Sequence, residues 1–209
     1  MICCLTGRLA IKRLSKVSHF QVFEVIEIMS QNEGIMDQLA ELLEKNKIYE
    51  NAMRYCRGMD RKDLSLMKST FWPEATDNHG FFVGNCHDFC DMAYQGQEAS
   101  GHSAIHHCSN VLIELAGSKA RCESAFIYVW SHAEKSVTKL LGGRYKDVCE
   151  KRGDEWKILR RFTIFDWANE LAGAQDFQGI FNFPPSALVG DLHPNDPVPE
   201  EWLECSVDR

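Results

Sequence analysis

Four long runs rich in β-branched and aromatic residues occupy the stretch from about 104 to 168. They read AIHHCSNVLIEL, ARCESAFIYVWSH, SVTKLLGGRYKDVCE and EWKILRRFTIFDWA. The links AGSK and KRGD between them are too short for a crossover, so neighbouring runs must pair antiparallel. Alternation within each run is imperfect, which fits a curved sheet buried partly on both faces. Upstream, apolar residues at three- and four-residue steps (Met36, Leu39, Leu42, Leu43, then Ile48, Ala52, Tyr55 and Met59) predict a helix over 35–58. Asp63 is placed to cap a second helix, LSLMKSTF, which Pro73 in WPEATD should end. HGFFVG reads as a short strand. CHDFCDMAYQ, with Phe89, Met92 and Ala93 on one face, reads as a third helix. Helices first and a meander afterwards predict an α+β fold, with the helices covering one face of the sheet.

Composition narrows the function classes. Of 209 residues, 44% are hydrophobic and 25% charged, and the formal net charge is -7. That balance suits one domain with extensions and disfavours nucleic acid or an anionic membrane as partner. No run of apolar residues is long enough to span a bilayer. The nine cysteines form no CxxC pair and no disulfide framework, which points to free thiols and a cytoplasmic location. CHDFC offers Cys86, His87 and Cys90 but lacks a second matching half, so no metal is expected. No phosphate-cradling loop or dinucleotide fingerprint is present, and no cofactor is expected. Residues 1–34 read as an extension: a weakly transit-like segment, or sequence upstream of a synthesis start at Met29, the second being preferred. Residues 35–169 form the expected domain, and the Pro-rich 170–209 tail is expected to pack over it.

The stretch RYCRGMDRKD raises a sharper question. Gly58 interrupts an apolar helical stripe, and Asp60 follows at once. Such an acid is either a turn residue or a carboxylate aimed into a cavity. Taken with HHCSNVLIEL and GGRYKDVCEKRGDEWKILRRFTIFDW, the helix–Asp–helix segment resembles the SnoaL-like branch of the nuclear transport factor 2-like superfamily, from about 45 to 169. The resemblance implies a cone: a strongly bent antiparallel sheet around a deep pocket closed by the early helices. It includes scytalone dehydratase, bile acid 7α-dehydratase, hexachlorocyclohexane dehydrochlorinase, ketosteroid isomerase and polyketide cyclases. It also includes non-catalytic β subunits of ring-hydroxylating dioxygenases. Fold alone therefore leaves the function open.

By that resemblance, Asp60 takes the position of the catalytic Asp, His106 that of the catalytic His, and Tyr55 that of a pocket tyrosine. The chemistry is coherent. A neutral imidazole is a general base near working pH, and a carboxylate on its other nitrogen fixes the tautomer and stabilises the imidazolium. His107 points to the opposite face, and a one-residue slip would exchange the two histidines. Phe126, Tyr128, Trp130 and His132 share one strand face, which by the resemblance lines the cavity; the first three are candidate pocket residues. Asn110 shares the His106 face by parity. Arg161 lies on a strand that contributes a pocket residue in relatives and could hold an anionic oxygen. His79 is either a second acid/base group or a turn residue. Asp77 and Asp166 are read as structural partners. The expected function is a cofactor-independent, dehydratase-like lyase or isomerase acting on a small hydrophobic ring compound, as a homodimer or homotrimer. The alternatives are a non-catalytic binding or subunit protein and a polyketide-cyclase-like enzyme.

Overall fold

The structure is a computed structural model and describes residues 19–132 and 137–172. In chain order the elements are α1 (His19–Arg61), α2 (Leu64–Ser69), β1 (Phe71–Asn78), β2 (Val83–Asn85) and α3 (Cys86–Ser100). The long strands β3 (Ser103–Ala116), β4 (Lys119–His132), β5 (Val137–Arg152) and β6 (Glu155–Ala172) follow. By internal contacts the chain divides into two units, one through Glu44 and one from Lys45 onward. In the first, Met36, Leu39, Leu42 and Leu43 are exposed. In the second, Ile48, Ala52, Tyr55, Cys56 and Met59 are buried at helical spacing.

The six strands form one curved, unclosed sheet in the order β2-β1-β6-β5-β4-β3. The meander expected from the four long runs is present, with Gly117 and Gly153 at positive φ in its tight turns. One pairing departs from the antiparallel expectation: β1 runs parallel to β6. Curvature has a local cause in the GGRY segment. A Cβ on Gly143 would meet the Ile164 carbonyl oxygen at 2.3 Å and the Phe126 ring at 2.7 Å. The β5–β6 register shifts between Gly142 and Gly143, so the strand kinks where only glycine fits.

Two local expectations need correction. WPEATD does not end a helix; it lies in β1, with Pro73 inside the irregular part of the β1–β6 pairing, where no ladder donor is required. Nor does Gly58 break α1, which continues through Asp60 to Arg61. A Cβ at Gly58 would stand 2.8 Å from the Met67 backbone nitrogen, so the glycine admits α2 against α1. The chain turns at Lys62, at φ 54, and Asp63 then caps α2 by accepting from the Leu66 N–H at 2.9 Å. The expected short strand is reduced to Val83–Asn85, after a turn at Gly80. No helix among the described residues is long and apolar enough to cross a membrane. The tail lies outside the described residues beyond Ala172, as do residues 1–18 at the other end.

Candidate functional site

The final turn of α1 meets the start of β3 through Asp60. One carboxylate oxygen lies 2.5 Å from His106 Nδ1, and the other accepts the His106 backbone N–H at 2.9 Å. Both oxygens therefore grip the same residue, fixing the ring and the strand together. The histidine with its side chain turned inward is His106; His107 is exposed on the opposite face. Among the described residues His106 Nε2 has no hydrogen-bond partner, and the ring borders a cavity of about 490 Å³. In the neutral tautomer that directs Nδ1–H at the carboxylate, Nε2 carries the lone pair.

The cavity is mostly apolar. Phe126, Tyr128 and Trp130 line it from β4, and Phe89 and Met92 line it from α3. The Tyr128 ring sits 4.7 Å from the His106 ring. Burial, together with the Asp60 charge, pushes the Tyr128 hydroxyl up to about 12, so it stays protonated as a donor. Tyr55 also lines the cavity, 1% exposed, its ring edge-on to Phe71 and Tyr145. Its hydroxyl is buried without a partner among the described residues, and so is Gln97 Oε1 on the cavity wall. The Tyr55 hydroxyl wants an acceptor and Gln97 Oε1 a donor, a combination that a ligand hydroxyl supplies.

His79 reaches the same cavity from the end of β1. Its Nδ1 is 3.0 Å from Asp77 Oδ2 and 3.1 Å from the Thr163 hydroxyl, and its ring stacks on Phe89 at 4.1 Å. Asp77 thus partners a histidine, whereas Asp166 pairs with Arg144 through two bonds of 3.0 and 2.9 Å.

Two candidates stand elsewhere. Asn110 falls at an irregularity in the β3–β4 pairing, with φ 49, and is exposed rather than on the cavity wall. The extra residue there reverses the parity, turning Val111 and Ile113 inward instead. Arg161 does face inward but stops in the core. It is 1% exposed and bound at both ends to Asp147, with two contacts of 2.8 Å. Its guanidinium lies over the rings of Tyr55 and Tyr145 at 4.1 and 4.2 Å. Burial opposes its charge, but the Asp147 carboxylate more than offsets this and holds it cationic. Its charge is therefore already committed to a neighbour on the adjacent strand.

Sequence reasoning missed His102. It lines the cavity between Ser100, which contacts its Nδ1, and Tyr128, whose hydroxyl is 3.3 Å from its Nε2. Burial, with help from Lys62 and His132, pushes it down to about 4, so it is neutral at ordinary pH. Extending the His106 parity back by four residues would have found it. Cys86 and Cys90 of the CHDFC stretch lie in the core cluster.

The SnoaL-like domain family matches residues 40–162. No curated protein matches the chain by sequence. Among solved structures, a scytalone dehydratase candidate from Novosphingobium aromaticivorans DSM 12444 is similar, with a TM-score of 0.58 and 19% identity over 64% of this chain and 93% of that one. The hexachlorocyclohexane dehydrochlorinase LinA-type3 from Novosphingobium barchaimii LL02 gives 0.57 and 19% over 72% and 99%. The β subunit of a candidate aromatic-ring-hydroxylating dioxygenase from Novosphingobium aromaticivorans DSM 12444 gives 0.52 and 13% over 61% and 92%. These likenesses share the fold. The family match spans more than half of the chain, over the segments that carry Asp60, His106 and the cavity wall, so the chain belongs to the SnoaL-like domain family of the nuclear transport factor 2-like superfamily.

Proposed function

We propose that the chain is a cofactor-independent lyase of the dehydratase type, acting on a small hydrophobic ring compound that carries oxygen. The observation that carries this reading is the Asp60–His106 pair with its unpartnered Nε2 against an apolar cavity. His106 Nε2 removes a proton from carbon beside an activating group. Asp60 keeps the tautomer and stabilises the imidazolium that results, an interaction strengthened where water is excluded. The Tyr55 hydroxyl, which has no partner among the described residues, is assigned to donate to the oxygen on which charge develops. The leaving hydroxyl needs a proton, and the Asp77-supported His79 on the same cavity is the group placed to deliver it.

Expulsion of water needs that proton; expulsion of chloride does not. The test uses two probes. 3-Hydroxy-1-tetralone loses water to give 1-naphthol, and γ-hexachlorocyclohexane releases chloride. Turnover of 3-hydroxy-1-tetralone, with loss on the order of 10³-fold in His106→Ala, is expected, and chloride release alone would assign dehydrochlorination instead. No turnover of either, or full activity in His106→Ala, sinks the reading. A binding or subunit role is favoured by one observation, the likeness to a dioxygenase β subunit. Saturable, stoichiometric binding of 1-naphthol without turnover of either probe would select it. A polyketide-cyclase-like reaction uses the same groups on another substrate. The reading includes a cytoplasmic homodimer or homotrimer assembled on the sheet's outer face, where Ile105, Ile127 and Phe162 are exposed.

A further inference from the structure

The reaction proposed above uses His106, Tyr55 and His79 and leaves one polar cluster of the cavity idle. That cluster lies where α3 hands over to β3. Gly101 closes α3 at φ 64, with its N–H donating to the Gln97 carbonyl at 3.1 Å, and the chain turns there into the strand. The turn brings His102 against Ser100 on one side and Tyr128 of β4 on the other, with the His102 and Trp130 rings 5.1 Å apart. Gln97, Ser100, His102 and Tyr128 all line the cavity.

The hydrogens of this cluster follow by elimination. The Ser100 hydroxyl lies 2.9 Å from the Gly96 carbonyl oxygen, which can only accept, so Ser100 donates there. Its single hydrogen is then spent, and the contact between Ser100 Oγ and His102 Nδ1 takes its hydrogen from the ring. A neutral imidazole carries one N–H, and burial keeps His102 neutral. Nε2 is therefore an acceptor, and the Tyr128 hydroxyl donates to it at 3.3 Å. Donation runs one way, from Tyr128 through His102 and Ser100 to a backbone carbonyl. It makes the Tyr128 oxygen a better acceptor and leaves its lone pairs for a donor in the cavity. Gln97 Oε1, on a residue only 4% exposed, also wants a donor.

We propose that Tyr128 Oη, oriented by His102, is a hydroxyl-accepting subsite, so that the ligand of this cavity is a ring compound with two oxygens, one that meets the Tyr55 hydroxyl and a second, a hydroxyl, that donates to Tyr128. The subsite rests on the reading of the cavity as a substrate site and names the substrate class, a dihydroxylated or hydroxyketo ring. It does not depend on which bond is broken. Tyr128 touches the ligand; His102 acts through Tyr128 and is a positioning residue.

The experiment is equilibrium binding to the full chain by titration calorimetry, which reads the subsite without turnover. The probes are 1-naphthol, naphthalene-1,3-diol, naphthalene-1,6-diol, and the methyl ethers 3-methoxy-1-naphthol and 6-methoxy-1-naphthol. At least one diol should bind about tenfold tighter than both 1-naphthol and its own methyl ether, as for one further hydrogen bond. Tyr128→Phe should erase that gain and leave 1-naphthol binding unchanged. In His102→Leu the Tyr128 hydroxyl loses its acceptor and turns to the cavity as a donor, so the preference should shift toward the methyl ether. A merely structural role for His102 would weaken both ligands equally. His102→Gln, whose side-chain oxygen can accept from Tyr128, should restore the preference for the diol. No gain for either diol, a gain that survives Tyr128→Phe, or equal weakening in His102→Leu overturns the proposal. Diol preference without turnover of 3-hydroxy-1-tetralone would keep the subsite and remove the lyase; turnover without diol preference would do the reverse.

Discussion

Two carboxylates each hold a nitrogen-bearing side chain inside the fold, and they are used in opposite ways. Asp60 holds His106 by one ring nitrogen and leaves the other facing the cavity. Asp147 holds Arg161 by two nitrogens, and tyrosine rings cover the guanidinium. The first pair keeps one functional atom unspent at a surface a ligand can reach. The second also leaves a nitrogen, Arg161 Nη1, without a partner among the described residues, but that atom is buried in the core and Arg161 is not on the cavity wall. The difference lies in where the remaining nitrogen sits.

The sharpest way to break the comparison is to remove each carboxylate's partner. His106→Ala should cost on the order of 10³-fold in kcat on whichever probe is turned over, with the melting temperature nearly unchanged. Asp60→Asn should be comparably severe, and the double variant little worse than His106→Ala, because residues acting as one unit are not additive. Multiplying losses would separate the two residues. Arg161→Met should act on the fold instead. It strands the Asp147 carboxylate in the core, at about 3–5 kcal/mol of stability read from urea unfolding. An Arg161→Met protein of normal stability but no activity would move Arg161 back into the site.

Tyr55→Phe sharpens the contrast by splitting signs. The lost hydroxyl should lower kcat about two- to tenfold, as for one hydrogen bond of about 0.5–1.5 kcal/mol. Because that hydroxyl is buried without a partner, stability should hold or rise. A clear fall in stability would mean that the hydroxyl is already satisfied. The smallest effect belongs to His102. Its folded-state pKa, about 4, lies below the usual histidine value near 6.5. The unfolded chain therefore takes up its proton first, and the His102 contribution is complete above pH 6.5 and lost as pH falls through 4. His102→Gln should flatten the melting temperature against pH in that window. An unchanged slope would assign the acid sensitivity to other groups.

The long strands and the cap at Asp63 were legible because each is local: runs of β-formers, short links, an acid before an apolar turn. Asp60, His106 and Tyr55 were legible through the family resemblance. What escaped was set by other segments. WPEATD forms a strand because β6 offers an edge, and no residue within it announces that neighbour. Asn110 was misplaced because one irregular residue reverses alternation for the rest of β3. The direction of Arg161 was readable, but its partner Asp147 is fixed by the β5–β6 register, which a sequence shows only after the strands are aligned. Gly58 looked like a helix breaker because its reason, the Met67 backbone, lies beyond the next turn.

The parallel β1–β6 pairing has a consequence for how the molecule is born. The Asp60–His106 contact closes a loop of 46 residues, but the His79–Thr163 contact closes one of 84. On a ribosome, the segments carrying Asp60 and His106 emerge well before β6, while β1 waits with an unpaired edge until nearly all the described chain is made. The His79 wall of the cavity is thus the last to be assembled and the one most exposed to interruption. A chain halted before residue 155 would contain both residues of the Asp60–His106 pair but lack the strand that β1 needs. Synthesis order, as much as energy, decides which half of this site a truncated or slowly translated chain can build.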